Sequence, residues 1–224
     1  MNATEMKIAA AREALAEVRD GMRLGLGTGS TAAEFVRLLA GRDVRCTCTS
    51  DKTEELARSL GIPIFRLAEL APLDLAVDGA DAIDERLRLI KGGGGALLRE
   101  KIVEQAARRF IVIADETKVV TTFAGHQLPV EVTPFAREVL EQRFAHLHPV
   151  LRLRDGKPRV TDEGHLILDV RVPSDRDIAE VVAEIRENAG VVETGFFPRE
   201  ATEAIIATSG GIKRMRSAAV PAAG

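Results

Sequence analysis

The residues best suited to chemistry lie in one stretch between positions 74 and 101. Two carboxylates, Asp78 and Asp81, follow directly after the apolar run 73–77. An apolar run that ends abruptly in acidic residues is typical of a buried parallel strand whose carboxyl end opens into a site. Gly79 lets the backbone turn sharply, so both side chains can point into one crevice. A lone aspartate after a strand is more often a turn former or helix cap, but the spacing of this pair favours a site.

A lysine, a run of glycines and a third carboxylate follow in the same stretch. Lys91 precedes Gly92–Gly95, and Glu100 lies near the start of a helix predicted over residues 96–109. Glycines leave backbone N–H groups free to approach a ligand closely. Most glycine runs are linkers, but linkers are flanked by polar low-complexity sequence, and this run lies between a lysine and a helix. We interpret the stretch as one βα unit that combines acids, a lysine and an anion-binding loop.

These motifs closely resemble the signature of ribose 5-phosphate isomerase, type A. The motifs that carry the resemblance are DGAD at 78–81, KGGG at 91–94, LLREK at 97–101, GLGTGSTA at 25–32, LPVEV at 128–132 and GVVETGFF at 190–197. They are separated, occur in order and cover nearly the whole chain, so the resemblance is specific. Ala82, Gly95 and Leu98 depart from the pattern of the family, and none of them is a candidate for chemistry.

The resemblance implies an aldose–ketose isomerase that interconverts D-ribose 5-phosphate and D-ribulose 5-phosphate through an enediolate, in the non-oxidative pentose phosphate pathway. It implies Glu100 as the base, Asp81 and Lys91 beside the sugar oxygens, and Asp78 in the same polar cluster. We expect Glu100 to be ionised at neutral pH, since the helix dipole, Lys91 and Lys101 all favour its charged form. No step of this reaction requires a metal or an organic cofactor.

The resemblance also implies a set of substrate contacts. These are Thr28, Gly29, Ser30, Thr31, Asp78, Gly79, Ala80, Asp81, Lys91, Gly92, Gly93, Gly94 and Lys118. The turn at 25–31 joins a predicted strand to a predicted helix, and the N–H groups of a first helical turn suit an anion. Its glycine spacing is GxGxG and not GxGxxG, which argues against the rival interpretation as a nicotinamide-dependent dehydrogenase. A monophosphate shared with Lys118 fits better, and Lys7 is a weaker candidate.

Alternating strands and helices up to residue 127 predict a Rossmann-like, doubly wound α/β sheet. The predicted elements are helices at 4–18, 32–39 and 53–60 and strands at 22–26, 44–47, 73–77 and 110–114. These strands end in turns at Gly27, Thr49, Asp78 and Asp115. Ligands of open α/β sheets bind beyond the carboxyl ends of the strands, so we expect the four turns to converge. Asp115 is equally suited to a site and to a capping role.

After Gln127 the pattern changes to that of a ferredoxin-like α+β unit. Strands predicted at 130–133, 150–154, 166–172 and 191–196 and helices at 134–147 and 174–188, the latter capped by Ser174, follow the order βαββαβ. Residues 204–207 then predict a strand that returns to the first sheet, before a frayed end at 217–224. We therefore predict a Rossmann-like catalytic domain from residues 1–127 and 200–224, and an inserted ferredoxin-like small domain from residues 128–199.

Composition argues against several classes of partner. The net charge is −3 and the chain has neither Trp nor Tyr, so it lacks the basic surface and the stacking aromatics that nucleic-acid binders use. No apolar segment reaches membrane length, and the first residues lack the core of a signal peptide. We interpret Cys46 and Cys48 as buried thiols in a reducing cytoplasm. The four histidines do not have the spacing of metal ligands.

The sequence also bears on the oligomeric state and on one alternative function. The resemblance implies a homodimer, with a tetramer as the alternative. A non-catalytic sugar-phosphate sensing domain would share the Rossmann-like layout, but such domains carry a DNA-binding unit, and no helix-turn-helix precedes Gly25. The sequence therefore predicts a cytoplasmic isomerase whose partner is a small sugar phosphate.

Overall fold

The structure is a computed structural model that describes residues 1–216. Its α-helices are α1 (Ala3–Leu15), α2 (Ser30–Leu38), α3 (Asp51–Ser59), α4 (Leu67–Leu70), α5 (Leu97–Gln105), α6 (Arg137–Arg143) and α7 (Ile178–Arg186). Its first strands are β1 (Arg23–Leu26), β2 (Arg45–Cys48), β3 (Leu75–Asp78), β4 (Ala82–Ile83), β5 (Leu89–Ile90), β6 (Phe110–Asp115), β7 (Gln127–Val132) and β8 (Val150–Leu151). The later strands are β9 (Leu153–Arg154), β10 (Lys157–Pro158), β11 (Leu166–Arg171), β12 (Val191–Thr194), β13 (Phe196–Phe197), β14 (Glu203–Thr208) and β15 (Gly211–Arg216).

A six-stranded sheet in the order β15-β14-β6-β3-β1-β2 forms the centre of the molecule. All neighbours pair in parallel except β15, which pairs antiparallel with β14 at one edge. Every residue of β3 and β6 is buried, as expected for central parallel strands that are covered on both faces. The predicted Rossmann-like α/β fold is confirmed, and residues 204–207 do return to this sheet. The edge strand β15 has no counterpart among the predicted elements.

The two faces of the central sheet are covered differently. Helices α1, α2 and α3 pack on one face through a core that includes Ala10, Phe35 and Ala57. The other face carries the three-stranded sheet β13-β5-β4, whose Ile83 and Phe197 pack against β6 and β14. The polar segment between Asp81 and Lys91 is thus a β-hairpin, which the sequence pattern does not reveal.

A four-stranded antiparallel sheet, β12-β7-β11-β8, follows in the chain and packs one face against α6 and α7. With its helices it has the predicted ferredoxin-like order βαββαβ. The division of the chain into two domains stays a prediction. The frayed end predicted at 217–224 lies outside the described residues.

Three predicted elements of this region are wrong in detail. Helix α7 is capped by Asp177, whose side chain accepts from Ala179 N at 2.8 Å, and not by Ser174. The helix predicted at 134–147 is α6 flanked by two 3₁₀ turns. The strand predicted at 191–196 is interrupted at Gly195, where the chain passes from the four-stranded sheet to the three-stranded one.

Gly195 marks that crossing because no side chain fits there. A Cβ at Gly195 would lie 2.3 Å from the carbonyl oxygen of Lys91. The Gly195 N–H donates to Pro129 O at 2.7 Å, and its carbonyl accepts from Lys91 N at 2.8 Å. This close approach fixes the backbone at Lys91, which the sequence analysis places beside the sugar oxygens. Within residues 1–216, no helix is both long and apolar enough to cross a membrane.

Candidate active site

A cleft of about 460 Å³ opens at the carboxyl edge of the central sheet. Its lining comprises Ala3, Met6, Lys7, Thr28, Gly29, Ser30, Thr31, Ala32, Gly79, Ala80, Asp81, Lys91, Gly92, Gly93, Gly94, Glu100, Asp115, Thr117 and Lys118. Every predicted substrate contact is in this lining except Asp78, which lies beneath it and is only 1% exposed. The turns after β1, β3 and β6 therefore meet at one place, as expected. The turn after β2 lies behind them, where Thr49 Oγ1 is 2.7 Å from Thr28 Oγ1.

Asp78 joins two loops of the cleft from below. Its Oδ1 accepts from the N–H groups of Thr28, at 2.9 Å, and Gly79, at 2.6 Å. The approach requires a glycine at position 27, because a Cβ there would lie 2.0 Å from Asp78 Cγ. The aspartate at the end of β3 thus sets the position of the turn that follows β1.

The turn after β1 presents a helix N-terminus to the cleft. Helix α2 begins at Ser30 after Gly29, whose φ of 122° is a conformation that side chains disfavour. Gly29 provides no side-chain cap, so the first N–H groups of α2 are available to an anion. The Thr28 hydroxyl points elsewhere, into a hydroxyl cluster where it lies 2.8 Å from Ser50 Oγ. Thr28 therefore contributes its backbone and methyl group to the cleft.

Lys91 lies at the centre of a buried group of three carboxylates. Its ammonium nitrogen is 2.8 Å from Asp78 Oδ2, 3.6 Å from Glu100 Oε2 and 3.2 Å from Glu104 Oε1, and it donates to the Gly79 carbonyl at 2.6 Å. The four charged side chains are each no more than 3% exposed. Burial acts to lower the pKa of Lys91, but the three carboxylates outweigh it, so its pKa is raised and it stays an ammonium.

Burial has the opposite effect on the two glutamates of α5. It raises the pKa of Glu100 to about 8, because the loss of water outweighs the attraction of Lys91, and the charges of Asp78 and Asp81 add to the rise. Burial likewise raises the pKa of Glu104 well above its ordinary value. Apart from the 3.2 Å ionic contact of Oε1 with Lys91, the oxygens of Glu104 have no polar partner within the described part of the chain. The expectation that Glu100 is ionised at neutral pH is therefore wrong for the free protein.

The prediction that Glu100 is ionised was wrong for two physical reasons. The rings of Phe110 and Phe197 lie within 5.8 Å and 5.5 Å of the Lys91 nitrogen and help to exclude water from the cluster. Lys101, which was expected beside Glu100, donates instead to Thr194 O and Phe196 O, both at 2.8 Å. It thus ties α5 to the end of β12 and gives no hydrogen bond to Glu100.

The glycine loop 92–95 forms one wall of the cleft. Gly93 N donates to Asp81 Oδ2 at 2.7 Å, so the loop and the aspartate fix each other. Gly92, with φ 95°, and Gly95, with φ 80°, adopt backbone conformations that favour glycine. A Cβ at Gly92 would also lie 2.8 Å from Leu97 Cβ. The run of glycines is therefore an ordered loop against α5, as its sequence context indicated.

Lys118 and the first residues of α1 also line the cleft. Asp115 Oδ1 accepts from Thr117 N at 3.0 Å and caps the 3₁₀ turn that places Lys118 at the cleft. Asp115 therefore has the capping role, and it also lines the cleft. The lining also holds Lys7, the weaker phosphate candidate.

Sequence reasoning missed several residues of the site. Ala3, Met6, Ala32 and Thr117 line the cleft without being predicted, and Glu104 belongs to the buried cluster. Glu104 follows Glu100 by four residues on the predicted helix, and this spacing could have placed it on the same face. Among residues 1–216, no three His, Cys, Asp or Glu side chains are arranged to hold a metal ion.

A Rossmann-like sheet whose strand ends bring together a buried carboxyl group, an ammonium group and uncapped helix N–H groups is an arrangement suited to an α/β enzyme that acts on an anionic substrate. The family model described as ribose 5-phosphate isomerase A (phosphoriboisomerase A) matches residues 45–211. The chain is therefore an isomerase of the α/β class. It belongs to the ribose 5-phosphate isomerase A family.

Individual relatives resemble the chain over almost all of its length. Ribose-5-phosphate isomerase A of Sinorhizobium medicae is 47% identical over 230 aligned residues, which cover 97% of this chain and all of that protein. The solved ribose 5-phosphate isomerase A of Methanocaldococcus jannaschii is 39% identical, with a TM-score of 0.88 over 95% of this chain and 98% of that one. A D-ribose-5-phosphate isomerase solved in complex with phospho-erythronic acid is 38% identical, with a TM-score of 0.90 over 96% of this chain and 100% of that one.

Proposed function

We propose that this protein interconverts D-ribose 5-phosphate and D-ribulose 5-phosphate, as an enzyme of the non-oxidative pentose phosphate pathway. The observation that carries the proposal is the position of Glu100, a carboxyl group that lines the cleft, is 2% exposed and lies 3.6 Å from the Lys91 ammonium. A base and a fixed positive charge on one small-molecule cleft are what an enediolate reaction needs. The alternative of a non-catalytic sensing domain finds no support among the relatives.

Glu100 is the proposed base. It takes the proton from C2 of the open-chain aldose, the electron pair moves toward the O1 oxygen, and the same carboxyl group returns the proton to C1. A base works best when its pKa lies near the working pH, so a pKa of about 8 suits a group that must both accept and release a proton.

Lys91, Asp81 and the glycine loop are the proposed partners of the sugar oxygens. The Lys91 ammonium stabilises the negative charge of the enediolate, and the N–H groups of Gly92 and Gly94 add to this where they face the cleft. The Gly93 N–H donates to Asp81 instead. Asp81 moves the hydroxyl proton between O2 and O1 or assists ring opening. Asp78 stays below, where it orients Lys91 through their 2.8 Å contact.

The phosphate is proposed to bind at the N-terminus of α2. The start of α2 and the side chains of Ser30 and Thr31 line the same cleft as Lys118 and Lys7. A helix N-terminus and cations together favour a dianionic phosphate. The cleft is also of a size that suits a pentose phosphate, since small-molecule sites measure upward of about 300 Å³.

A coupled assay tests the proposal directly. Purified protein is incubated with D-ribose 5-phosphate, and D-ribulose 5-phosphate is measured by an enzyme that consumes it. We expect saturable turnover that falls by at least about 10²-fold in the Glu100→Gln variant. Absence of turnover by the wild-type protein, with the protein folded by circular dichroism, would refute the assignment.

We further propose that the protein is a cytoplasmic homodimer. Free thiols at Cys46 and Cys48, whose pKa values burial raises to about 12, suit a reducing compartment. The surface of the four-stranded unit exposes large apolar side chains, among them Phe135, which is fully exposed, and Val139. Exposed apolar residues of this size commonly mark subunit contacts.

A further inference from the structure

Arg152, between β8 and β9, reaches from the four-stranded sheet to the active-site loop. Its Nη1 donates to the carbonyl oxygens of Gly92, at 2.6 Å, and Gly93, at 3.3 Å. The rest of its guanidinium is held by Asp169 of β11, which accepts from Nε at 2.8 Å and also from Nη2. The side chains of this pair are 15% and 11% exposed, so the contact is largely shielded from water.

The glycine loop can be held only through its backbone, because it has no side chains of its own. Arg152 draws the carbonyl groups of residues 92 and 93 toward the four-stranded sheet, and Arg159 Nη2 contacts the carbonyl oxygen of Gly94. On the same loop, Gly93 N donates to Asp81 on the cleft side. In a trans peptide group the N–H points opposite to the carbonyl, so fixing the Gly92 carbonyl directs the Gly93 N–H to Asp81. Fixing the Gly93 carbonyl likewise directs the Gly94 N–H away from Arg152.

We propose that Arg152, oriented by Asp169, is a positioning residue that holds the glycine loop so that its N–H groups and Asp81 are preset for the enediolate. The inference rests on the proposed function, since it assigns Arg152 a part in that reaction. Arginine suits the task because its planar fork can bond a carboxylate and two carbonyls at once, whereas the single ammonium of lysine cannot bridge them in this way. Misplacement of a catalytic group by about 1 Å can cost on the order of 10²-fold in rate.

The test compares two matched replacements of arginine by lysine. Arg152→Lys removes the fork at the loop, and Arg176→Lys removes the same fork from the 2.7 Å contact with Glu184 on α7. Steady-state kinetics with D-ribose 5-phosphate are measured well below the Tm of each variant. We expect kcat of Arg152→Lys to fall by about 10- to 100-fold with KM changed less than about threefold, and Arg176→Lys to match the wild type.

A second variant separates positioning from folding. Asp169→Asn keeps Arg152 but weakens its anchor, so kcat should fall by a smaller factor, and the double variant should be about as slow as Arg152→Lys alone, because both changes act through one contact. The inference is wrong if Arg152→Lys keeps wild-type kcat, if its loss lies in KM alone, or if Arg176→Lys loses as much. Should Arg152→Lys fail to fold, a wild-type kcat in Asp169→Asn overturns it. An inactive wild-type protein would instead refute the proposed function.

Discussion

Glu100 shows how a competition between burial and charge is decided at a single residue. Isolated on a first helical turn beside a lysine, a carboxyl group would have a lowered pKa. Here it is 2% exposed and shares the Lys91 ammonium with two other carboxylates, so desolvation prevails and its pKa rises to about 8. The same packing that makes Glu100 a stronger base also leaves it largely protonated at pH 7.

Replacing Glu100 with glutamine tests its role as the base. The change keeps the volume of the side chain and removes its ability to take a proton, so we expect KM to persist while kcat falls by at least about 10²-fold. Exchange of the substrate C2 proton with deuterated solvent should vanish in Glu100→Gln. If that variant exchanged the proton at a near-normal rate while Asp81→Asn did not, the base would be Asp81.

The raised pKa of Glu100 predicts an unusual pH dependence. The base acts only when deprotonated, so kcat/KM of the wild-type protein should rise with pH through about 8 and level off above it. A carboxylate with an ordinary pKa would give a flat profile from pH 7 to 9. Doubling the coupling enzyme at each pH controls for the assay itself. A flat profile over this range would show that burial does not raise the pKa in solution.

Glu104 should affect the pH dependence of stability. Its pKa is raised on folding, so its contribution to the free energy of unfolding is greatest below its ordinary pKa of about 4.5 and is lost as the pH rises toward the folded value. Glu104→Gln is neutral at every pH. We therefore expect the Tm difference, variant minus wild type, to increase from pH 6 to pH 9. A difference that stays constant over this range would mean that Glu104 is already ionised at pH 6.

At the scale of elements, the sequence could predict which strand ends and loops meet at the site. It could not predict the contacts that join them. Asp78, Lys91 and Glu100 follow a strand, a hairpin and a glycine loop in order, and the rule that ligands bind beyond the strand ends brought them together. The interruption at Gly195 depends on the backbone of Lys91 more than 100 residues earlier in the chain, and no local pattern reports such a contact. The start of α7 was misplaced because Ser174 and Asp177 are both good caps, and only packing selects between them.

The anion-binding turn before α2 predicts a specific kinetic effect. Thr31→Ala and Lys118→Ala each remove a group from the proposed phosphate end of the cleft, which is remote from C1 and C2. We expect both variants to raise KM for D-ribose 5-phosphate more than they lower kcat. Lys213→Ala, at an exposed position on β15, is the matched control for the loss of a lysine. Wild-type kinetics in both cleft variants would place the phosphate elsewhere.

At the scale of the whole molecule, the four-stranded sheet has two faces with different partners. One face packs on α6 and α7, and the other lies toward α5 and the glycine loop, where Arg152 and Lys101 make their contacts. The sequence predicted the order of these strands and helices from their alternating patterns. It could not predict that this unit contacts the glycine loop, because Arg152 lies about 60 residues from the loop in the sequence.

The outer surface of the same unit carries the last prediction. Phe135 is fully exposed and Val139, four residues later, is 53% exposed, so both lie on one side of the helical segment. If this surface is a subunit contact, light scattering coupled to size exclusion should give twice the mass of the chain for the wild type. Phe135→Ser should then shift the mass toward that of a single chain, with its Tm depending less steeply on protein concentration than that of the wild type. Lys213→Ala should stay dimeric. A wild-type protein with the mass of one chain at micromolar concentration would rule out the homodimer, and a dimeric Phe135→Ser would place the contact on another surface.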